Sequence, residues 1–259
     1  MKLPRKIIDI SMALDDVVVV DPPHMRPKIE MLEHGDNLDR YTKLYPGLDT
    51  DDLPGGLGAS YETITLSTHN GTHVDAPLHY HPKDKNGDEM PSIDQMPLEW
   101  FMRPGVKLDF RHFDNGYVVS ASDVEAELVR IEHVLQPFDI VLVNTSASEA
   151  YGTDLYTSSG CGMGREATLY LTKRGVRVTG TDAWGWDAPF IHTSKKWAQT
   201  KDPSIIWEGH YAGIEQPYCH MEKLHNLEAL PSKGFIVSCF PCKIRGGTAG
   251  WTRAVALFD

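Results

Sequence analysis

Short runs of β-branched, aliphatic and aromatic residues recur along the whole chain, each closed by Gly, Pro, Asn or Asp. KIIDISMAL (6–14), SYETITLST (60–68), GVKLDF (105–110), DIVLVNT (139–145), RVTGTDA (177–183), FIVSCFPCKI (235–244) and TRAVALF (252–258) read as β-strands. Helical spacing is rarer. In SASDVEAELVRIEHVLQ (120–136), Val124, Leu128, Ile131 and Leu135 share one face. Ser120 or Ser122 is its N-cap, Glu125 completes a capping box from Ser122, and Pro137 is the stop. GREATLYLTKRGV (164–176) predicts a second helix closed by Gly175. MEKLHNLEALP (221–231) predicts a short third one stopped by Pro231. Residues 31–58 are polar, punctuated by Gly and Pro and without periodicity, which predicts a long loop of the mobile or functional kind. Strands and helices are interleaved, and no repeat or composition shift divides them. The expectation is one α/β domain over residues 1–259.

Composition narrows the class. With 41% hydrophobic and 24% charged residues, 259 residues can bury a full core. A formal charge of −11 argues against a nucleic-acid partner and against a polybasic membrane contact. The start MKLPRKIIDI is basic but has no apolar stretch behind it, and no apolar run approaches the length of a membrane span. A cytoplasmic location is expected. Four cysteines do not make a disulfide framework. Cys239 and Cys242 form a lone C-x-x-C within a strand-like run, where odd spacing sends the thiols to opposite faces; two packed cysteines are expected. GCGMG (160–164) lacks the Lys-Ser/Thr of a P-loop and reads as a helix entry, and RGGTAGWTR (245–253) reads as a tight turn.

The chemistry concentrates in STHNGTHVDAPLHYHP (67–82). His69, His73, Asp75 and His79 are separated by even numbers of residues, so an extended chain points all four the same way. A straight strand would leave His69 and His79 about 33 Å apart. The segment must therefore bend, and Gly71 and Pro77 are the residues that permit it. His69, His73 and Asp75 can then meet at one metal, with His79 a little further off. Imidazole and carboxylate without thiolate suit zinc, manganese or iron(II), and three protein ligands leave open positions of the catalytic type. A second cluster in WEGHYAGIEQPYCHME places His210, His220 and Glu222 at even separations, with His220 and Glu222 on one face of a strand. His210 and Glu222 are the candidate ligands from this half. Trp184, Trp186 and Trp207 are candidates to wall a flat pocket, against the alternative of packed core tryptophans.

HNGTHVDAPLH resembles the H-x-G-T-H-x-D-x-P-x-H motif of the metal-dependent cyclase superfamily, which contains bacterial arylformamidases (kynurenine formamidases) and isatin hydrolases. The resemblance extends to IIDISMAL, to TGTDAWGWDAP and to MEKLHNLEALPSKGFIVSCFPCKIRGGTAGWTRAVAL. It implies a mixed β-barrel-like core of the swivelling β/β/α type with flanking helices. It also implies a homodimer or homotetramer, and hydrolysis of an amide-type C–N bond in a small molecule with Mn2+ or Zn2+. By matching positions, His69, His73 and Asp75 are metal ligands and His79 is the proton donor and acceptor. His210 and Glu222 complete a second metal position or the rim of the first. Isatin hydrolases tend to carry glutamine at the place of Glu222, which leaves the metal count open. Kynurenine formamidases typically carry a tryptophan in a P-x-W-P-G-D-like segment, whereas DDVVVVDPPHMRP has no aromatic residue, and compact formamidases lack the insertion at 31–58. Both departures favour a cyclic amide such as isatin over the alternative, N-formylkynurenine. A metal-storing protein and an iron(II) oxygenase with a facial triad are the competing function classes.

Overall fold

The run IVLVN at 140–144 is apolar on both faces, as suits a strand covered from both sides, and all its residues are buried. It sits at the centre of a nine-stranded mixed sheet. A computed structural model of the chain describes residues 3–18 and 20–259. Met1 and Lys2 of the basic start, and Val19 within DDVVVVDPPHMRP, lie outside the described residues.

In chain order the elements begin with β1 (Lys6–Asp9), β2 (Lys28–Leu32), α1 (Leu38–Leu44), β3 (Tyr61–Thr65), β4 (His73–Asp75) and α2 (Pro77–Tyr80). There follow β5 (Met102–Asp109), β6 (Val118–Val119), α3 (Ala121–Arg130), β7 (Ile140–Asn144), β8 (Gly162–Met163), α4 (Arg165–Thr172) and β9 (Val178–Thr181). The chain closes with α5 (Phe190–Thr200), α6 (Glu208–Glu215), β10 (Cys219–Glu222), β11 (Lys233–Ser238), β12 (Ala249–Trp251) and β13 (Val255–Phe258). The large sheet runs β1-β13-β11-β5-β7-β9-β10-β4-β12 and curls into a half-barrel, with β5, β7, β9 and β10 parallel to one another. On one face Val106, Leu108, Val141 and Val143 pack under Val124 and Leu128 of α3 and Ala167 and Leu171 of α4. On the other, Ile140, Leu142 and Val178 join Ile10, Met221 and Leu227. The expected single mixed α/β domain with a barrel-like core and flanking helices is the observed one. No helix among the described residues is long and apolar enough to cross a membrane.

Several elements differ from the sequence reading, each for a local reason. Helix α3 is capped by Ser120 in a box with Asp123 rather than by Ser122 with Glu125, and it ends at Arg130 because Glu132 turns left-handed at φ 52. The third helix is absent. Met221 and Glu222 belong to β10, and Lys223 and Asn226 both take left-handed φ values of 57 and 58, which leaves one 3-10 turn at Leu227–Ala229. The stretch 31–58 is not a plain loop: it holds the end of β2 and all of α1, a helix of seven residues with none buried, too short for its spacing of Leu38, Tyr41 and Leu44 to register as periodic. Helices α2, α5 and α6 went unpredicted as well. Cys239 is buried as expected, but Cys242 is exposed.

Candidate metal centre

Strands β4 and β10 are antiparallel neighbours, registered so that His220 faces Asp75 and Glu222 faces His73. The two-residue period of each strand then gathers these four side chains over one patch of sheet. His69 arrives from the turn before β4. That turn needs Gly71, which has φ +58 and would put a Cβ 2.6 Å from the Leu14 side chain. Pro77 ends the extended run and starts α2, whose one turn carries His79 back over the patch. The His69 and His79 rings come to a 4.2 Å centroid separation, so the bend required by the sequence is present on both sides of β4. Helix α6 brings His210 from the opposite wall. Its N-terminus is capped by Asp187, which accepts from the Gly209 and His210 amides and from His210 Nδ1.

The donors converge on Asp75. His69 Nδ1 lies 3.0 Å and His73 Nε2 3.2 Å from Asp75 Oδ1, while His220 Nε2 lies 3.2 Å and His79 Nε2 3.7 Å from Asp75 Oδ2. Glu222 approaches His220 Nε2 at 3.1 Å, and His210 Nε2 and His73 Nε2 at 3.6 Å each. Two groups have donor atoms mutually within 4.8 Å: His69, His73 and Asp75, and Asp75, His210, His220 and Glu222. Asp75 is common to both. His79 belongs to neither, and its side chain keeps 21% exposure toward the cavity.

Hydrogen bonding on the far side of each ring sets the tautomers. His73 Nδ1 donates to the Gly71 carbonyl at 2.9 Å, and His210 Nδ1 donates to Asp187. Tyr218 gives its hydroxyl proton to the Gly209 carbonyl, and His220 Nδ1 lies between the Tyr218 hydroxyl at 3.3 Å and the closer Tyr80 hydroxyl at 3.1 Å, which together hold the ring in place. The Nε2 atoms of His73 and His210 therefore present lone pairs to the two carboxylates, and His220 Nε2 reaches the same pair. Lone pairs facing carboxylate oxygens repel unless a cation lies between them. His73 Nε2 and both Asp75 oxygens, all buried, make no hydrogen bond. The residues present fit a divalent metal.

Burial raises the pKa of Asp75, but the imidazoles of His73, His220 and His69 around it outweigh this and hold its carboxyl well below the usual range. Glu222 is held down to about 2, where burial is outweighed by its bond to His220. Burial likewise disfavours charge on His220, yet Asp75 and Glu222 lift it to about 9. Two ionised carboxylates thus create a strong local demand for positive charge. His79 goes the other way, pushed down to about 4 by burial first, against the pull of Asp75, with His69 and His210 adding to the fall. It is a neutral imidazole beside the cluster.

A cavity of about 200 Å³ opens over these groups, walled by Met25, Trp184, Pro189, Phe190 and Trp207. Trp207 stacks on His210 at 4.6 Å and 10°. Trp186, the third tryptophan considered from sequence, is a core residue, 1% exposed, whose amide donates to Glu222 Oε1 at 2.9 Å. All six predicted site residues, His69, His73, Asp75, His79, His210 and Glu222, are brought together. The sequence reading did not count His220 among the ligands, although its parity with Glu222 was the signal. Asp187, Tyr80 and Tyr218, which orient the rings, carried no signal at all.

The family model described as "Putative cyclase" matches residues 8–188. The chain belongs to the cyclase family. This cyclase-family chain is 28% identical over 199 residues to the kynurenine formamidase of Salinibacter ruber, covering 74% of this chain and 77% of that one. Isatin hydrolase A from Ralstonia solanacearum shares its fold with a TM-score of 0.74 at 21% identity, over 98% of this chain and 92% of that one. An isatin hydrolase bound to the product analogue thioisatinate matches with a TM-score of 0.73 at 20% identity, over the same shares of the two chains. Family and fold agree on a cyclase-family metal-dependent hydrolase.

Proposed function

We propose that this cyclase-family hydrolase opens the amide C–N bond of a compact cyclic amide such as isatin. His69, His73, Asp75, His210 and Glu222 hold divalent metal, Mn2+ or Zn2+, and His220 joins them. The observation that carries this reading is the convergence of imidazole nitrogens on two buried carboxylates, with His73 Nε2 and both Asp75 oxygens left without a hydrogen bond. A divalent ion held by these residues would supply Lewis-acid chemistry, activating water as a nucleophile near neutral pH and polarising the substrate carbonyl. His79 stands beside the cluster and faces the cavity, so its Nε2 takes the proton released by the attacking water and returns it to the leaving nitrogen. Trp184, Phe190 and Trp207 supply apolar walls against which a flat ring can pack.

The charge of the cavity favours a cyclic amide. Lys223 is its only lining lysine or arginine among the described residues, and Asp21 already neutralises it. N-formylkynurenine carries a charged amino-acid tail and would find no free cation for its carboxylate. The likeness to a kynurenine formamidase keeps N-formylkynurenine as the second reading. The test is a panel of isatin, N-formylkynurenine and a simple cyclic imide, assayed after chelation and again after adding back zinc or manganese. Metal-dependent opening of isatin is expected. Full turnover by metal-free protein overturns the metal reading, and preferential cleavage of the formamide transfers the assignment to the second reading.

A further inference from the structure

Beside the donor cluster, and not part of it, lies a buried ion pair between Lys223 and Asp21, each 1% exposed. Such a pair adds little net stability once desolvation is counted, so the geometry it imposes is of more interest than its strength. Lys223 Nζ donates to Asp21 Oδ1 and, at 2.8 Å, to the backbone carbonyl of His69. Asp21 Oδ1 also accepts from Trp184 Nε1 at 2.9 Å, and Asp21 Oδ2 accepts from Asn70 Nδ2 at 2.8 Å. Asn70 then donates to the Met25 carbonyl at 2.7 Å and accepts from the Ser67 amide at 2.7 Å.

Four segments distant in sequence meet at this one pair. Met25, Ser67, His69, Trp184 and Lys223 all line the cavity. The backbone of the lysine is held as well. It follows Glu222 directly at φ +57, its amide donates to the Ala183 carbonyl at 3.0 Å, and its carbonyl accepts from Thr72 Oγ1. Its ammonium also sits 5.1 Å from the Trp184 ring centroid. Lys107 offers a contrast. It is buried too, but its Nζ serves only the Leu227 and Leu230 carbonyls, at 3.2 and 2.6 Å, and touches nothing that lines the cavity.

We propose that the Asp21–Lys223 pair is a positioning device: it fixes the turn that carries His69 and the Met25–Trp184 wall, so that metal affinity and substrate KM both depend on it. Both halves of this statement rest on the function proposed above, whereas the fixing of the turn does not. Outer partners that orient a ligand typically change metal affinity 10- to 100-fold when removed, which sets the scale.

The experiment compares the unaltered chain with Asp21→Asn, Lys223→Met, the double variant and Lys107→Met as a control for buried lysine. Melting temperature, the Kd for zinc or manganese, amide hydrogen exchange of residues 67–72 in metal-free protein, and KM and kcat on isatin are measured for each. Lys223→Met should weaken metal binding about 10- to 100-fold, speed exchange at 67–72, and raise KM more than it lowers kcat. Lys107→Met should lower the melting temperature alone. The double variant removes the uncompensated carboxylate, so it should regain melting temperature without regaining metal affinity or loop protection. Recovery of all three in the double variant, or the same losses in Lys107→Met, overturns the proposal. If Lys223→Met does not fold, Asp21→Asn, which keeps the shape of the side chain, decides by the same readouts. If the unaltered protein binds no metal, the metal reading fails, and exchange at 67–72 still decides whether the pair positions the turn.

Discussion

Asp182 follows β9 at the point where the chain leaves the sheet for the cavity wall, and it is completely buried. It accepts from Asn144 Nδ2 at 2.6 Å, from the Thr145 amide at 2.9 Å and from Thr145 Oγ1 at 2.8 Å. Burial nonetheless pushes its carboxyl up from 3.8 to about 7. A folded pKa above the unfolded one means that the folded state prefers the proton. The contribution to stability is complete below about pH 4, declines as pH rises, and is gone above about pH 7. A shift of roughly three units at about 1.4 kcal/mol per unit sets a ceiling of about 4 kcal/mol on that loss. Asp182→Asn removes the charge and keeps the shape. Asn144 Oδ1 is buried without a partner, so a flip of the Asn144 amide lets it accept from the new side-chain amide. Urea unfolding of both proteins across about pH 4 to 8 measures the effect. The variant should gain on the unaltered protein as pH rises, and the gap should level off above about pH 7. Parallel stability curves would refute the argument, because they would mean that Asp182 is already ionised without penalty.

Four further outcomes follow from the site. His79→Ala should lose about 10²- to 10⁴-fold in turnover while keeping its metal, measured on one preparation; departure of the metal with the activity would make His79 a ligand. Glu222→Gln should lower metal content by elemental analysis, whereas Glu228→Gln, at an exposed position, should not. Asp187→Asn frees His210 Nδ1 from its carboxylate partner and should weaken metal binding about 10- to 100-fold, read by titration against a competing chelator. Gly71→Ala places a side chain at φ +58 against Leu14 and should destabilise by about 1–2 kcal/mol in thermal unfolding, with a parallel loss of metal affinity.

The sequence by itself determined the chemistry of the centre. Strand parity is a local property, so the even spacing of His73 and Asp75, and of His220 and Glu222, puts each pair on one face before any tertiary contact is known, while His69 and His79 reach that face through the bends at Gly71 and Pro77. The apolar runs marked the central strands for the same reason, because β7 carries its burial on every residue. Tertiary structure alone decided the rest. The register that sets His220 against Asp75 is a pairing between residues far apart in the chain, and local spacing cannot choose it. Helix α6 takes its cap from Asp187, 22 residues before Gly209, so no start signal stands next to it in the sequence. The polar run at 31–58 hid α1 because Leu38, Tyr41 and Leu44 span only seven residues, too short a window for helical periodicity to stand out. Asp21 and Lys223 lie 202 residues apart and look like two ordinary surface charges until folding removes both from water and leaves each as the other's partner.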